Sequence, residues 1–125
     1  TNIFAHTVEV GTEIVKAFRL SEFFDLDQIK RPALLKIDVQ GGEYDVLLGS
    51  EELLPAFDWI YVECSEIELY EGQALRKDVQ AWLEKRGYDV EAIGPTTIHR
   101  GELVQMDMLF ARASADSAAY APAHE

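Results

Sequence analysis

The stretch from Leu34 to Gly49 constrains this chain more than any other. Leu34-Leu35-Lys36-Ile37-Asp38-Val39 is a short run dominated by Leu, Ile and Val. It reaches Gln40-Gly41-Gly42-Glu43 and resumes with apolar residues at Tyr44, Leu47 and Leu48, which is helical spacing. The reading is strand, tight turn, helix. Near-continuous apolarity, without strict alternation, predicts a strand buried on both faces, as in a parallel sheet covered by helices. In such sheets ligands bind beyond the carboxyl ends of the strands, where Asp38, Gln40 and Glu43 fall.

The segments that follow extend this unit. Ser50-Glu51-Glu52-Leu53-Leu54-Pro55 reads as one more helical turn stopped by proline. Trp59-Ile60-Tyr61-Val62-Glu63-Cys64-Ser65, rich in aromatic and β-branched residues, reads as a second buried strand. A helix between two such strands implies a parallel crossover, so residues 34–65 form a βαβ unit. Glu66 to Gln73 is a loop. Beyond it Leu75, Val79, Trp82 and Leu83 mark a helix introduced by Asp78 and closed by Gly87. Tyr88 to Ile93 alternates like a strand, Gly94-Pro95 is expected to turn it, and Met106 to Ala111 is a final strand. The pair makes an antiparallel ribbon around a loop carrying His99, Arg100 and Gly101. Trp59 and Trp82 are expected in the core, and His99 is expected exposed and uncatalytic.

Upstream, Thr7 to Val10 and Ile14 to Leu20 read as two short strands or a hairpin around Gly11-Thr12. Val8-Glu9-Val10-Gly11 superficially resembles the strand and first glycine of an adenosylmethionine-binding loop, but Thr12-Glu13-Ile14 follows where further glycines are needed. Ser21 is placed to cap a helical segment from Glu22 to Asp27, and Lys30-Arg31-Pro32 interrupts the pattern before the organising strand. From Ser114 the chain is Ala-, Ser- and Pro-rich, which predicts a disordered tail over residues 114–125.

Composition narrows the function classes. The 125 residues suffice for one domain or part of one, and residues 1–113 hold most of its apolar bulk. With 23 Asp and Glu against 11 Lys and Arg the formal net charge is −12, which opposes binding to nucleic acid or an anionic membrane. No apolar run has the length of a membrane span. Cys64 is the single cysteine and forms no internal disulfide, so nothing requires an oxidising compartment and a cytoplasmic location is expected. Its expected role is a small buried residue at a strand end. The first residue is Thr1 and not Met, which raises the expectation that the chain starts within something larger.

The block Lys36-Ile37-Asp38-Val39-Gln40-Gly41-Gly42-Glu43, then Val46-Leu47-Leu48-Gly49, then Tyr61-Val62-Glu63, resembles the second half of the FkbM-type methyltransferases, over roughly residues 15–110. The resemblance implies a Rossmann-like fold and S-adenosylmethionine-dependent methylation of oxygen, commonly on sugars or secondary metabolites. It also implies a sheet in the order 3-2-1-4-5-7-6, of which this chain supplies counterparts of the last four strands but not strands one to three. The expected fold is therefore α/β: the carboxyl-terminal half of that sheet, parallel strands with an antiparallel final hairpin. A chain of this kind is a carboxyl-terminal fragment or borrows its missing half from another chain, because a central strand without a neighbour exposes unpaired backbone groups.

Candidate site residues follow from strand ends and loops. Asp38 is placed to take a substrate proton, bind a metal, or hold the cofactor's amino acid portion; alternatively it accepts amides of the Gly41-Gly42 turn. Glu63 ends the neighbouring strand and pairs with Asp38 as a candidate acid/base. Gln40 and Gly41 are candidates for the cofactor side. Glu43, favoured by a helix N-terminus whatever its function, joins Tyr70 and Gln73 as candidates for the acceptor pocket. No metal is expected. Two other readings stay open: a non-catalytic remnant or assembly module that folds with a partner or with itself, and a magnesium-dependent phosphoryl-transfer domain using Asp38 and Glu43. The expected partner is a small-molecule hydroxyl substrate, with a homo-oligomer or a missing amino-terminal half as protein partners.

Overall fold

The computed structural model describes residues 11–113. Strand β1 (Leu34–Ile37) leads through the glycine turn to helix α1 (Glu43–Gly49) and a 3-10 turn over Glu51–Ala56. Strand β2 (Trp59–Ser65), helix α2 (Arg76–Glu84) and the long strands β3 (Tyr88–His99) and β4 (Glu102–Arg112) complete the order. The four strands form one mixed sheet in the order β1-β2-β4-β3, with β1 parallel to β2 and the other two pairings antiparallel. The predicted βαβ unit and carboxyl-terminal ribbon are both present.

Register decides which side chains share a face. Ile37 pairs with Val62, and Ile60, Val62 and Cys64 pair with Phe110, Met108 and Met106, so these residues point the same way. All are buried in one cluster with Leu47 of α1, Leu53, Leu54 and Phe57 after it, and Val79, Trp82 and Leu83 of α2. Both helices thus cover one face. The other carries Leu34, Lys36, Trp59, Tyr61, Glu63 and Asp107, and among the described residues no helix packs on it. Trp82 is buried as expected, but Trp59 is 38% exposed because its register places it on the open face. Likewise β1 is not buried on both faces: among the described residues it is an edge strand, with Leu34 53% exposed.

Asp58 ties the entry of β1 to the start of β2. Its buried carboxylate accepts hydrogen bonds from the Arg31 guanidinium and, at 2.9 Å, from the Ala33 amide, while its own amide donates to the Ala33 carbonyl. Burial works against the charge, yet these hydrogen bonds and the nearby Arg31 and Arg112 cations together hold the carboxyl below its ordinary range. At the far end of the core, Tyr88 Oη lies 2.6 Å from the carbonyls of both Leu54 and Phe57, and Arg112 donates to Pro55 and Phe57. These groups satisfy the Pro55 and Phe57 carbonyls at the end of the 3-10 turn and add a donor to the Leu54 carbonyl, which already accepts the Phe57 amide.

Three expectations are corrected. Ile14 to Val15 and the residues up to Arg19 form no strand; they are exposed, and Leu20 opens a 3-10 turn. Thr7 to Val10 and the tail from Ser114 lie outside the described residues. Ser21 caps no helix, because Glu22–Asp27 is split between 3-10 turns at Leu20–Glu22 and Leu26–Gln28. Each is closed by a side chain three residues on: Glu22 accepts the Arg19 amide and Gln28 the Asp25 amide, both at 2.6 Å. Gly94-Pro95 does not reverse the chain. β3 runs through it with a register shift between Ile93 and Thr96, so the missing proline N–H is absorbed by an irregularity in the ladder. The reversal comes at Arg100-Gly101, both with positive φ (52° and 80°), the two-residue geometry that matches strand twist.

Candidate active site

The carboxyl end of β1 is shaped by Glu43. Gln40 and Gly41 both have positive φ (49° and 107°), which folds the chain back sharply after Asp38. Glu43 is buried, and its carboxylate accepts hydrogen bonds from the amides of Val39 (3.2 Å) and Gly41 (3.0 Å). The amide-binding role weighed for Asp38 therefore belongs to Glu43, one helical turn later. Asp38 stays exposed at the strand end.

Tyr70 and Gly41 meet directly. A Cβ on Gly41 would lie 2.7 Å from the Tyr70 ring, so the loop after β2 packs against the loop after β1 only because this position lacks a side chain. Gln73 fixes that same loop from within: its Oε1 accepts the Leu69 amide at 2.9 Å and its Nε2 donates to Ser65 Oγ at 2.9 Å. The amide of Gln73 is thus engaged by its own loop and by the end of β2. Gln40 is exposed beside the turn.

Glu63 lies within β2 on the open face, half-buried, and accepts a hydrogen bond from Gln105 Nε2 at 3.2 Å. Burial, then the negative charges of Asp107, Asp38 and Glu43, push its carboxyl above the ordinary range. The charge of Asp38 thus reaches Glu63. Asp107 and Tyr61 were not anticipated. Asp107 is the direct cross-strand neighbour of Glu63, and the Tyr61 hydroxyl donates to its Oδ2 at 2.6 Å. That hydrogen bond, then burial and the charges of Asp107, Asp38 and Glu63, raise the Tyr61 phenol. Lys36 places its ammonium 5.8 Å from the Tyr61 ring centre. A signal for Asp107 exists in the sequence, as a carboxylate interrupting the apolar run Met106 to Phe110 at an alternate position. Its partner is legible only from the β2–β4 register.

On the opposite face Cys64 is buried, and burial above all pushes its thiol up to about 12, so it is inert core as expected. His99 sits at the end of β3 away from these groups, partly exposed. A groove of about 340 Å³ lined by Phe18, Leu20, Phe23, Asp45, Val46 and Gly49 holds none of the site carboxylates. The arrangement at the carboxyl end and open face of β1 and β2 offers an exposed carboxylate (Asp38), a carboxylate disposed to take a proton (Glu63), and hydrogen-bonding groups around them. That combination suits proton abstraction from a hydroxyl.

Residues 2–90 match the family model described as the Methyltransferase FkbM domain. The chain is 41% identical over 63 residues to the 2-O-methyltransferase NoeI of Sinorhizobium fredii, covering 50% of this chain and 26% of that protein. It is 36% identical over 62 residues to the methyltransferase sdnD of Sordaria araneosa, covering 50% of this chain and 22% of that protein. The matched part thus spans about a quarter of the length of these curated relatives.

Proposed function

Because the chain belongs to the FkbM methyltransferase domain family, we propose that it forms the carboxyl-terminal half of an S-adenosylmethionine-dependent O-methyltransferase whose acceptor is a small-molecule hydroxyl. The observation that carries this reading is the position of Asp38 just past the end of β1, with Glu63 on the parallel strand β2 beside it and its carboxyl raised in part by the Asp38 charge. The strand order β1-β2-β4-β3 supports the half-sheet assignment, since it corresponds to the last four positions of the 3-2-1-4-5-7-6 order. The name of the Sinorhizobium relative, a 2-O-methyltransferase, supports oxygen as the acceptor atom.

The residues present fit the donor in part of their chemistry. Asp38 has an exposed carboxylate and Gln40 an exposed amide at the end of β1, and these suit an ammonium group and nucleoside hydroxyls. Gly41 is a glycine for a reason internal to the chain, the Tyr70 contact and its positive φ. When bound, S-adenosylmethionine supplies an electrophilic methyl group on a sulfonium centre. This chain's residues then orient the acceptor and remove its proton, with Asp38 or Glu63 as the base. Gln105 steadies Glu63, and the Tyr70 and Gln73 loop borders the acceptor side.

The test is methyl transfer by the protein that carries this chain. Asp38→Asn or Glu63→Gln should lower kcat by about 10²–10⁴-fold for whichever residue is the base. Unchanged turnover in both variants removes the assignment. Calorimetric titration of S-adenosylmethionine into the 125-residue chain measures how much of the donor site lies within it. The phosphoryl-transfer reading is not favoured, since the Glu43 carboxylate it would use is taken up by the amides of Val39 and Gly41. A remnant that folds only by association would show concentration-dependent circular dichroism.

A further inference from the structure

We propose that Tyr61 and Asp107 form a positioning pair: the Tyr61 hydroxyl fixes the Asp107 carboxylate directly across the strand pair from Glu63, and that fixed charge makes Glu63 the proton acceptor for the substrate hydroxyl. The inference rests on the methyl-transfer reading above and chooses between its two candidate bases.

Three observations converge on the pair. Glu63 and Asp107 are register partners on β2 and β4, so their side chains leave the sheet side by side on the open face. Like charges placed so are ordinarily selected against, and a charge pair of one sign held in this way favours a proton on one member. Tyr61, two residues before Glu63 on the same face, donates to Asp107 Oδ2 at 2.6 Å and so holds that carboxylate in place. Finally, Gly94 of β3 lies against this pair: a Cβ there would stand in ordinary van der Waals contact with Asp107 Cβ (3.4 Å) and Tyr61 Oη (3.6 Å).

The charged and titratable groups around Glu63 are accounted for element by element. β1 contributes Lys36, the turn after it Asp38, the first turn of α1 contributes Glu43, β2 contributes Tyr61, and β4 contributes Asp107 with the neutral Gln105. Glu43 is committed to backbone amides and Lys36 lies over the Tyr61 ring. Asp38 is exposed to solvent, so its charge is the more screened. Asp107 is therefore the charge best placed to act on Glu63. The balance of the reaction fits a single acceptor of this kind. As the substrate oxygen bonds to the methyl carbon, the donor's carbon–sulfur bond breaks with its electron pair staying on sulfur, and the one proton lost from the hydroxyl passes to Glu63 and on to water.

The deciding measurement is a carbon-13 NMR titration of the Glu63 carboxyl in the 125-residue chain, with no donor or acceptor present. Asp107→Asn, which keeps shape and a hydrogen-bond partner for Tyr61, should lower the Glu63 midpoint by roughly one pH unit. Tyr61→Phe should lower it by a smaller amount, because the Asp107 charge remains but is no longer held in place. In the methylating protein the acidic limb of kcat/KM should move to lower pH by the same amount in Asp107→Asn, a shift that a purely structural role would not cause. An unmoved Glu63 midpoint in both variants overturns the pair while leaving the methyltransferase reading intact. Normal methylation by Glu63→Gln, with Asp38→Asn inactive, overturns the choice of Glu63 and assigns the base to Asp38.

Discussion

The two faces of the four-stranded sheet obey different rules although they are built from alternating residues of the same strands. On the covered face Ile60, Val62, Met108 and Phe110 are at most 1% exposed and pack against α1, α2 and the turn between α1 and β2. On the open face the same strands present Trp59, Tyr61, Glu63 and Asp107, a mixture of exposed ring and clustered carboxylate. A face that only had to be wet would carry scattered charges of both signs. This one sets Glu63 and Asp107 side by side, at a cost in stability that the covered face has to offset. The difference separates what holds the chain together from what it presents to a ligand.

Substitution tests the contrast most strongly in the core. Phe110→Ala should cost about 3–5 kcal/mol, as burial this complete implies, whereas Leu34→Ala on the open edge should cost under about 1 kcal/mol. Urea unfolding of both variants checks this, and similar losses would mean that the open face is packed in solution.

Asp58 tests the seam where β1 and β2 start. Asp58→Ala removes the acceptor of Arg31 and of the Ala33 amide and should cost about 1–3 kcal/mol, at the lower end because Arg31 is partly exposed. The folded chain holds this carboxyl below its ordinary range, so the contribution is full above the unfolded value and is lost as pH falls through the folded one. The gap between wild type and variant should accordingly close in acid, and a constant gap from neutral pH down would contradict it.

The smallest expected effect has the opposite sign. Glu63→Gln removes a like charge facing Asp107 and should stabilise the chain at neutral pH by about 0.2–1 kcal/mol. The folded state binds this proton more tightly than the unfolded state, so wild-type stability is full below the ordinary glutamate value and declines as pH rises through the raised one. The gain should vanish in acid. A variant that is less stable than wild type at neutral pH would mean that the Gln105 hydrogen bond outweighs the repulsion.

Local chemistry was legible wherever the chain itself supplies the partner. The strand, glycine turn and helix from Leu34 to Gly49, the strand Trp59–Ser65 and the helix closed by Gly87 follow from periodicity and turn residues. Legibility failed upstream of Pro32, where alternation between Ile14 and Leu20 has no neighbouring strand to pair with among the described residues, and β propensity without pairing makes no sheet. It failed again at Gly94-Pro95, where the pairing of β3 with β4 on both sides carries the strand through a dipeptide that would turn an isolated chain.

The candidate site divides along the same line. The sequence alone determined that Asp38 stands at a strand end before a sharp turn and that Glu63 lies on the next parallel strand, because both follow from spacing along the chain. Only the tertiary structure decided that Glu43, and not Asp38, binds the turn amides, that Tyr70 lies on Gly41, that Trp59 faces outward, and that Asp107 stands beside Glu63 under the Tyr61 hydroxyl. The reason is register. Which face a residue joins, and which residue 44 positions away becomes its neighbour, is set by how β4 pairs with β2, and a slip of one residue would exchange every partner on both faces.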